Sequence, residues 1–240
     1  MKLVKKVLVT GLLGVLSLLS FHSQAEGLKA GDWIVRGRII NVAPTVDTDE
    51  VEVPALGGFV AGSGVDVNNS TVPELDITYM LTSHWGLELI LGTSQHDVSP
   101  EGAALIGALD GLAPLGTGSD DAIEAWALPP TLLLQYHFMP ESKFRPYVGL
   151  GLNYTIFYDE QVKGPLDIPG ADLNMDQSFG LAAQIGADYD IGDSGWFFNV
   201  DVKYVQMDTT AKFRNTPVGN VSVHVDIDPI IFGIGIGKRF

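Results

Sequence analysis

Apolar residues recur at every second position through most of this chain. In residues 196–206 the even positions read Trp196, Phe198, Val200, Val202 and Tyr204, and the odd positions include Asn199, Asp201 and Lys203. Successive side chains of a strand point to opposite faces, so this period of two predicts a strand with two unlike faces. Residues 145–158 repeat the pattern, with Val148, Leu150, Leu152, Tyr154, Ile156 and Tyr158 opposed to Gly149, Gly151, Asn153 and Thr155. Residues 178–191 set Phe179, Leu181, Ile185, Tyr189 and Ile191 against Ser178, Gly180, Gln184, Gly186, Asp188 and Asp190. Upstream, one parity collects Trp126, Leu128, Leu132, Leu134, Tyr136 and Phe138, another Trp85, Leu87, Leu89 and Leu91, and a third Leu75, Ile77, Tyr79 and Leu81. Trp33, Val35 and Ile39 open a first strand whose other face carries Arg36 and Arg38. The last strand runs from about Val221 to Phe240. Its apolar parity changes near Pro229, which predicts a bulge there.

These segments make eight strands. Their connections alternate between short (82–84, 139–143, 192–195) and long (45–70, 95–121, 159–174, 209–220), the rim pattern of an outer-membrane barrel. An even strand number places both chain ends on the short-turn, periplasmic side. Alternation alone does not say which face is outside. A soluble barrel would hide its apolar face and wet the other. Here the other face is mostly Gly, Ala, Thr and Asn with few charges, too small and uncharged for a wet surface, and suited to the tight interior of an eight-stranded barrel. Trp33, Trp85, Trp126, Tyr136, Tyr158, Tyr189 and Trp196 lie near strand ends on the apolar face, as interfacial girdles do.

Composition narrows the choice. Only 18% of the 240 residues are charged, yet no run after residue 25 is long and apolar enough for a helical span. Residues 1–25 read as an export signal: Lys2, Lys5 and Lys6, an apolar run from Val7 to Leu19, then Ser23-Gln24-Ala25 as a cleavage site. Its removal takes three lysines and no acid, leaving 11 basic against 29 acidic residues, net −18. Such a balance excludes nucleic acid as a partner. There is no cysteine, hence no disulfide and no thiolate metal site. The fold expected is therefore an all-β, eight-stranded antiparallel transmembrane barrel over residues 26–240.

The inward parity would hold Arg36, Arg38, Asp76, Glu88, Asp188, Asp190, Asp201 and Lys203, read as a mutually paired polar plug in the lower barrel. Pro129-Pro130 falls inside the fourth strand. Proline donates no ladder hydrogen bond, so the wall is expected to be weakly paired there, either as a lateral opening or as a simple bulge. Leu56, Phe59, Leu105 and Leu109 place apolar groups in the long loops, to line a mouth for hydrophobic solutes or to pack against lipid and one another. The acids Asp47, Asp49, Glu50, Glu52, Asp120, Asp121 and Glu124 suggest a solvated rim, bridged by divalent cations to lipopolysaccharide, without calcium-loop spacing. His84, His96, His137 and His224 show no metal spacing, and no cofactor is expected. Ser222 and His224 share a parity but lack an acid in a clear role, so an enzyme is not expected.

The segments Leu128-Pro129-Pro130-Thr131-Leu132, Lys143-Phe144-Arg145-Pro146-Tyr147-Val148-Gly149 and Asn153-Tyr154-Thr155 with Phe157 resemble the OmpW family. So do Thr78-Tyr79-Met80, Gly86-Leu87-Glu88-Leu89, Met207-Asp208-Thr209-Thr210-Ala211 and the closing Arg239-Phe240. The resemblance implies a narrow, largely hydrophobic channel that passes small hydrophobic molecules across the outer membrane and releases them sideways through the wall. It implies an apolar constriction at Ile90 and at position 203, where Lys203 departs from the pattern. Met80 and Phe157, within matching segments, complete the channel candidates. The C-terminal Phe240 resembles the insertion signal read by the barrel-assembly machinery. The alternative is a structural or adhesive barrel with a plugged lumen.

Overall fold

The computed structural model describes residues 27–54, 57–102, 123–163, 170, 172–216 and 219–240. The export signal expected at 1–25 and the loop residues Leu56, Leu105 and Leu109 lie outside them. Eight antiparallel staves close into a barrel. In chain order they are Trp33–Ala43; Ser70–Met80; Trp85–Gly92, continued by Ser94–Glu101; Ile123–Leu128 with Thr131–His137; Phe144–Val162; Asp172–Met175 with Ser178–Asp190; Trp196–Val205 with Asp208–Thr216; and Gly219–Asp226 with Ile230–Arg239. Each stave pairs with its chain neighbour, and the first pairs with the eighth from Ile34↔Arg239 to Ala43↔Ile230. Phe240 N donates to Trp33 O (2.8 Å) and Trp33 N to Phe240 O (3.1 Å), so the C-terminal residue finishes that seam.

The lower staves turn the apolar parity outward. Leu150 is 70% exposed and Ile234 65%, with Leu181, Ile185, Phe198 and Val200 beside them. From Trp196 to Tyr204 this band covers eight residue steps, roughly 20 Å of height once strand tilt is allowed for, close to the apolar belt of an outer-membrane barrel. Aromatic rings pair at its short-turn edge: Trp33 with Tyr79 (4.9 Å between centroids), and Trp85 with Tyr136 (4.9 Å). Inside, large side chains occupy space left by glycines. A Cβ on Gly186 would lie 2.5 Å from the Tyr147 ring, and one on Gly237 would overlap the ring of Phe197.

Two expectations are corrected. Much of what reads as long loops is strand: Ser94–Glu101, Ile123–Leu128, the end of Phe144–Val162, Asp172–Met175, Asp208–Thr216 and Gly219–Asp226 carry the wall past the apolar belt. There the staves divide into two facing sheets. One continues the third to fifth staves and adds Gly64–Val67. The other joins Asp172–Met175, the seventh and eighth staves, and the short strands Glu52–Val53, Gly58–Phe59 and Asp47–Thr48. Nor is there a bulge at Pro229. Tyr204↔Ile230 and Asp208↔Asp226 share one register, and the inward parity stays odd through Val223, Val225, Ile227 and Ile231. The change in the sequence is one of environment: apolar side chains leave the outer face where the wall leaves the lipid and move to the lumen.

The lower lumen is filled by one hydrogen-bonded ionic network. Arg36 donates from Nε and Nη2 to the two oxygens of Asp188 (3.2 and 2.8 Å), and from Nη1 to Glu88 (3.0 Å) and Thr78 (2.9 Å). Its guanidinium also lies over Tyr147, 5.0 Å from the ring centroid. Arg38 bridges Glu74 (2.9 Å), Asp201 (2.6 Å) and Asp76. Gln135 donates to Glu88 (2.7 Å) and Gln184 to Asp201 (2.8 Å). Removing one partner of a buried pair strands the other charge. Arg36→Met should therefore cost about 3–5 kcal/mol, read as a lower urea midpoint of the barrel. The triple variant Arg36→Met, Glu88→Gln, Asp188→Asn should recover most of that loss; failure to do so would mean that packing, not stranded charge, carries the effect.

Candidate functional site

Above the network the inward residues become apolar, and the lumen opens. The cavity comprises about 1220 Å³ of space free of protein atoms, counted with its open mouth. Its walls are Ile40, Val42, Val72, Ile90, Val98, Ile123, Ala125, Ala127, Leu133, Val205, Met207, Val223, Val225, Ile227 and Ile231, among others. The reason is alternation again: staves longer than the bilayer need not be greasy outside above it, and the inner parity then takes the apolar residues. At the floor stand the only carboxylate and ammonium side chains that line it among the described residues, Glu74 and Lys203, joined at 2.5 Å. Lys203 is also 3.5 Å from Asp201. This pair is the upper surface of the ionic plug.

The polar side chains along the cavity already have protein partners. Thr131 donates to Pro129 O (3.0 Å) and Thr209 to Asp176 O (2.7 Å). His96 shares hydrogen bonds with Asn68 O (2.8 Å) and Ser94 Oγ (2.9 Å). Burial holds the His96 imidazole below its ordinary value, so it is neutral at pH 7. Thr93 donates to Ala127 O at 3.0 Å. A solute entering here meets apolar wall and satisfied polar groups, and a polar solute would lose its water without replacement.

The ladder of the fourth stave is interrupted at Pro129 and Pro130, between its two halves. Below them Thr131 pairs with Ile90, and above them Ala127 pairs with Ser94, in one continuous register that sets Pro129 opposite Gly92. On the other side Tyr154 N still donates to Pro130 O (3.1 Å), and the Asn153 amide reaches Pro129 O (3.3 Å). Neither proline has an N–H to give back. Gly92, Thr93 and Pro129 line the cavity, so the lumen meets the wall at this interruption.

The expected site residues separate. Ile90 and Lys203 sit at the cavity floor, and Phe157 lines its side. Met80 does not reach the cavity: it packs with Leu28, Ile34 and Phe197 at the short-turn end of the barrel. Phe59 is 68% exposed on its short strand. Asp190, expected in the lumen, lies at the rim and pairs with Arg145 (2.5 Å). Ser222 and His224 are not bonded to each other; Ser222 donates to Glu52 (3.3 Å) and His224 shares a bond with Thr210 (3.1 Å). Glu74 was missed by the pattern reading although it shares parity with Asp76. Gly92 carried no signal of its own until its register partner was known.

One substitution tests whether the cavity holds solute. Ala127→Phe fills it from the wall without touching the plug. It should weaken binding of N-phenyl-1-naphthylamine to the barrel in lipid nanodiscs at least tenfold, measured as fluorescence above empty nanodiscs; undiminished binding would place the dye elsewhere.

The OmpW family model matches residues 29–240. Outer membrane protein W of Vibrio cholerae is 38% identical over 213 residues, covering 88% of this chain and 89% of that protein. The crystal structure of the outer membrane protein OprG from Pseudomonas aeruginosa aligns with TM-score 0.78 and 33% identity, covering 89% of this chain and 98% of that one. A Pseudomonas aeruginosa protein named for a dibenzothiophene metabolism operon, PahQ, is 25% identical over 209 residues, 87% of this chain and 88% of its own. With a closed eight-stave barrel, an outward apolar belt and a family match over nearly all of the expected mature length, this chain belongs to the OmpW family of outer-membrane β-barrel proteins.

Proposed function

We propose that this barrel takes small hydrophobic molecules from outside the cell into its upper cavity and releases them sideways into the outer membrane, through the wall at Pro129 and Pro130. The observation that carries this reading is the meeting of three features at one height: apolar walls, a sealed ionic floor at Glu74 and Lys203, and a stretch of wall without proline N–H donors. A solute cannot continue downward without displacing buried ion pairs, which is costly. Lateral passage asks only that a poorly bonded seam part. The name of the relative PahQ, tied to an operon for a flat apolar heterocycle, supports the same solute class. A structural or adhesive barrel would need the plug but has no use for the cavity above it.

The surrounding assignments follow the same reading. Residues 1–25 direct export and are removed. Phe240, bonded at the closing seam, presents the C-terminal signal to the assembly machinery. The acidic rim faces lipopolysaccharide, and Phe59, with Leu56, Leu105 and Leu109 of the long loops, gathers apolar solutes at the mouth. No catalytic role is assigned.

The seam can be stitched because the natural chain has no cysteine. Gly92→Cys with Pro129→Cys places two thiols on directly opposed positions, within reach of a disulfide. Oxidised cells carrying this variant should take up N-phenyl-1-naphthylamine several-fold more slowly than reduced ones, and reduction should restore the rate. Equal rates in both states would rule out exit at this seam.

A further inference from the structure

Outside the wall, one side chain spans the fourth stave. Tyr158 belongs to the fifth stave and has the outward parity of Leu150, Leu152 and Tyr154. Its hydroxyl meets Thr93 Oγ1 at 2.6 Å, and Thr93 belongs to the break within the third stave. The fourth stave lies between those two, so the ring crosses it on the outer face of the wall, beside Trp126, whose ring centroid is 6.2 Å away. Two strand spacings are roughly 10 Å, a gap that tyrosine and threonine together reach across. The crossing lies immediately above Pro129. Thr93 also donates to Ala127 O, so its hydroxyl ties the third stave both to the fourth and to the fifth.

We propose that Tyr158 is a strap that holds the lateral opening closed between passages, with Thr93 as its catch. The proposal rests on exit through the Pro129 seam and deepens that reading by naming what resists opening. The backbone ladder cannot supply the closing bonds there, because the prolines lack donors. A hydroxyl–hydroxyl bond on the outer face of the wall replaces them. A single bond of this kind is strong enough to keep the seam shut at rest and weak enough to break when a solute presses outward. The strap is apolar except at its tip, as suits a ring at the edge of the apolar belt, and its hydroxyl is satisfied only while the seam is shut. A departing solute must lift the ring or break that bond. Tyr158 and Thr93 therefore set the opening rate without touching the cavity floor.

The test compares uptake of N-phenyl-1-naphthylamine by cells making equal amounts of folded barrel, verified by heat-modifiable migration. Tyr158→Phe keeps the ring and loses the hydroxyl; uptake should rise about fivefold, the equivalent of one net hydrogen bond. Thr93→Val should raise it at least as much, since its second bond to Ala127 O goes too. Adding Tyr158→Phe to Thr93→Val should change nothing further, because both remove the same bond. Unchanged or slower uptake in Tyr158→Phe, or additive effects in the double variant, would overturn the strap. The Gly92→Cys, Pro129→Cys stitch separates this from the wider reading. If the stitch blocks uptake while Tyr158→Phe does nothing, the seam stands and the strap falls. If the stitch has no effect, the exit itself is misplaced, and a faster Tyr158→Phe would then reflect general leakiness and count against the strap too.

Discussion

Charge buried without water must find its partners inside the protein, and the lower lumen of this barrel is built around that constraint. Arg36, Arg38 and Lys203 face Glu74, Asp76, Glu88, Asp188 and Asp201, all buried. Cations alone do not balance these acids. Side-chain amides supply the remaining donors, from Gln135 to Glu88, Gln184 to Asp201 and Asn199 to Asp188. The network pairs every one of these charges while leaving Oδ1 of Asp76 and Oδ1 of Asp201 without a hydrogen-bond partner, and it resists apolar solute, which would have to separate buried ion pairs. It converts the lower barrel from a pore into a floor.

Everything above depends on that floor. Because the lumen is closed at Glu74 and Lys203, the apolar cavity is a dead end toward the short-turn side, and among the described residues one of its walls is interrupted at Pro129 and Pro130. The fourth stave supplies that boundary by placing two prolines in succession. Register continues through them, so the wall keeps its shape while losing donors. At this place the wall thus keeps its register while losing two ladder donors. Lys203 stands where the resemblance implied an apolar residue, and the cavity floor is ionic on one side and aliphatic, through Ile90, on the other.

How far the sequence reveals this depends on which rule each feature obeys. Period two made the eight staves and the outward belt readable, since lipid imposes the same demand on every stave. The paired charges were readable for the same reason, apart from Glu74, which sits next to Pro73 in a stretch without clean alternation, and Asp190, whose parity is right but whose height is at the rim. The extended upper sheets were misread as loops because the signal changes sign there: apolar residues move indoors, and Val223, Val225 and Ile227 look like a slipped register when they are not. Met80, a channel candidate through its matching segment, packs with Leu28, Ile34 and Phe197 instead, because a matching segment does not give depth along the wall. Gly92, Thr93 and the reach of Tyr158 across a whole stave needed the register between strands distant in sequence, which no local pattern contains.

The claim that the ionic floor turns solute sideways can be tested by locating a solute directly. Crystals of the barrel soaked with 1-bromonaphthalene should show anomalous bromine density only above the Glu74–Lys203 pair, among Ile90, Leu133 and Ala127 or at the Pro129 seam. Bromine density below Arg38, on the way to the Leu28, Ile34 and Phe197 cluster, would mean that solute passes straight through, and the floor would be no floor.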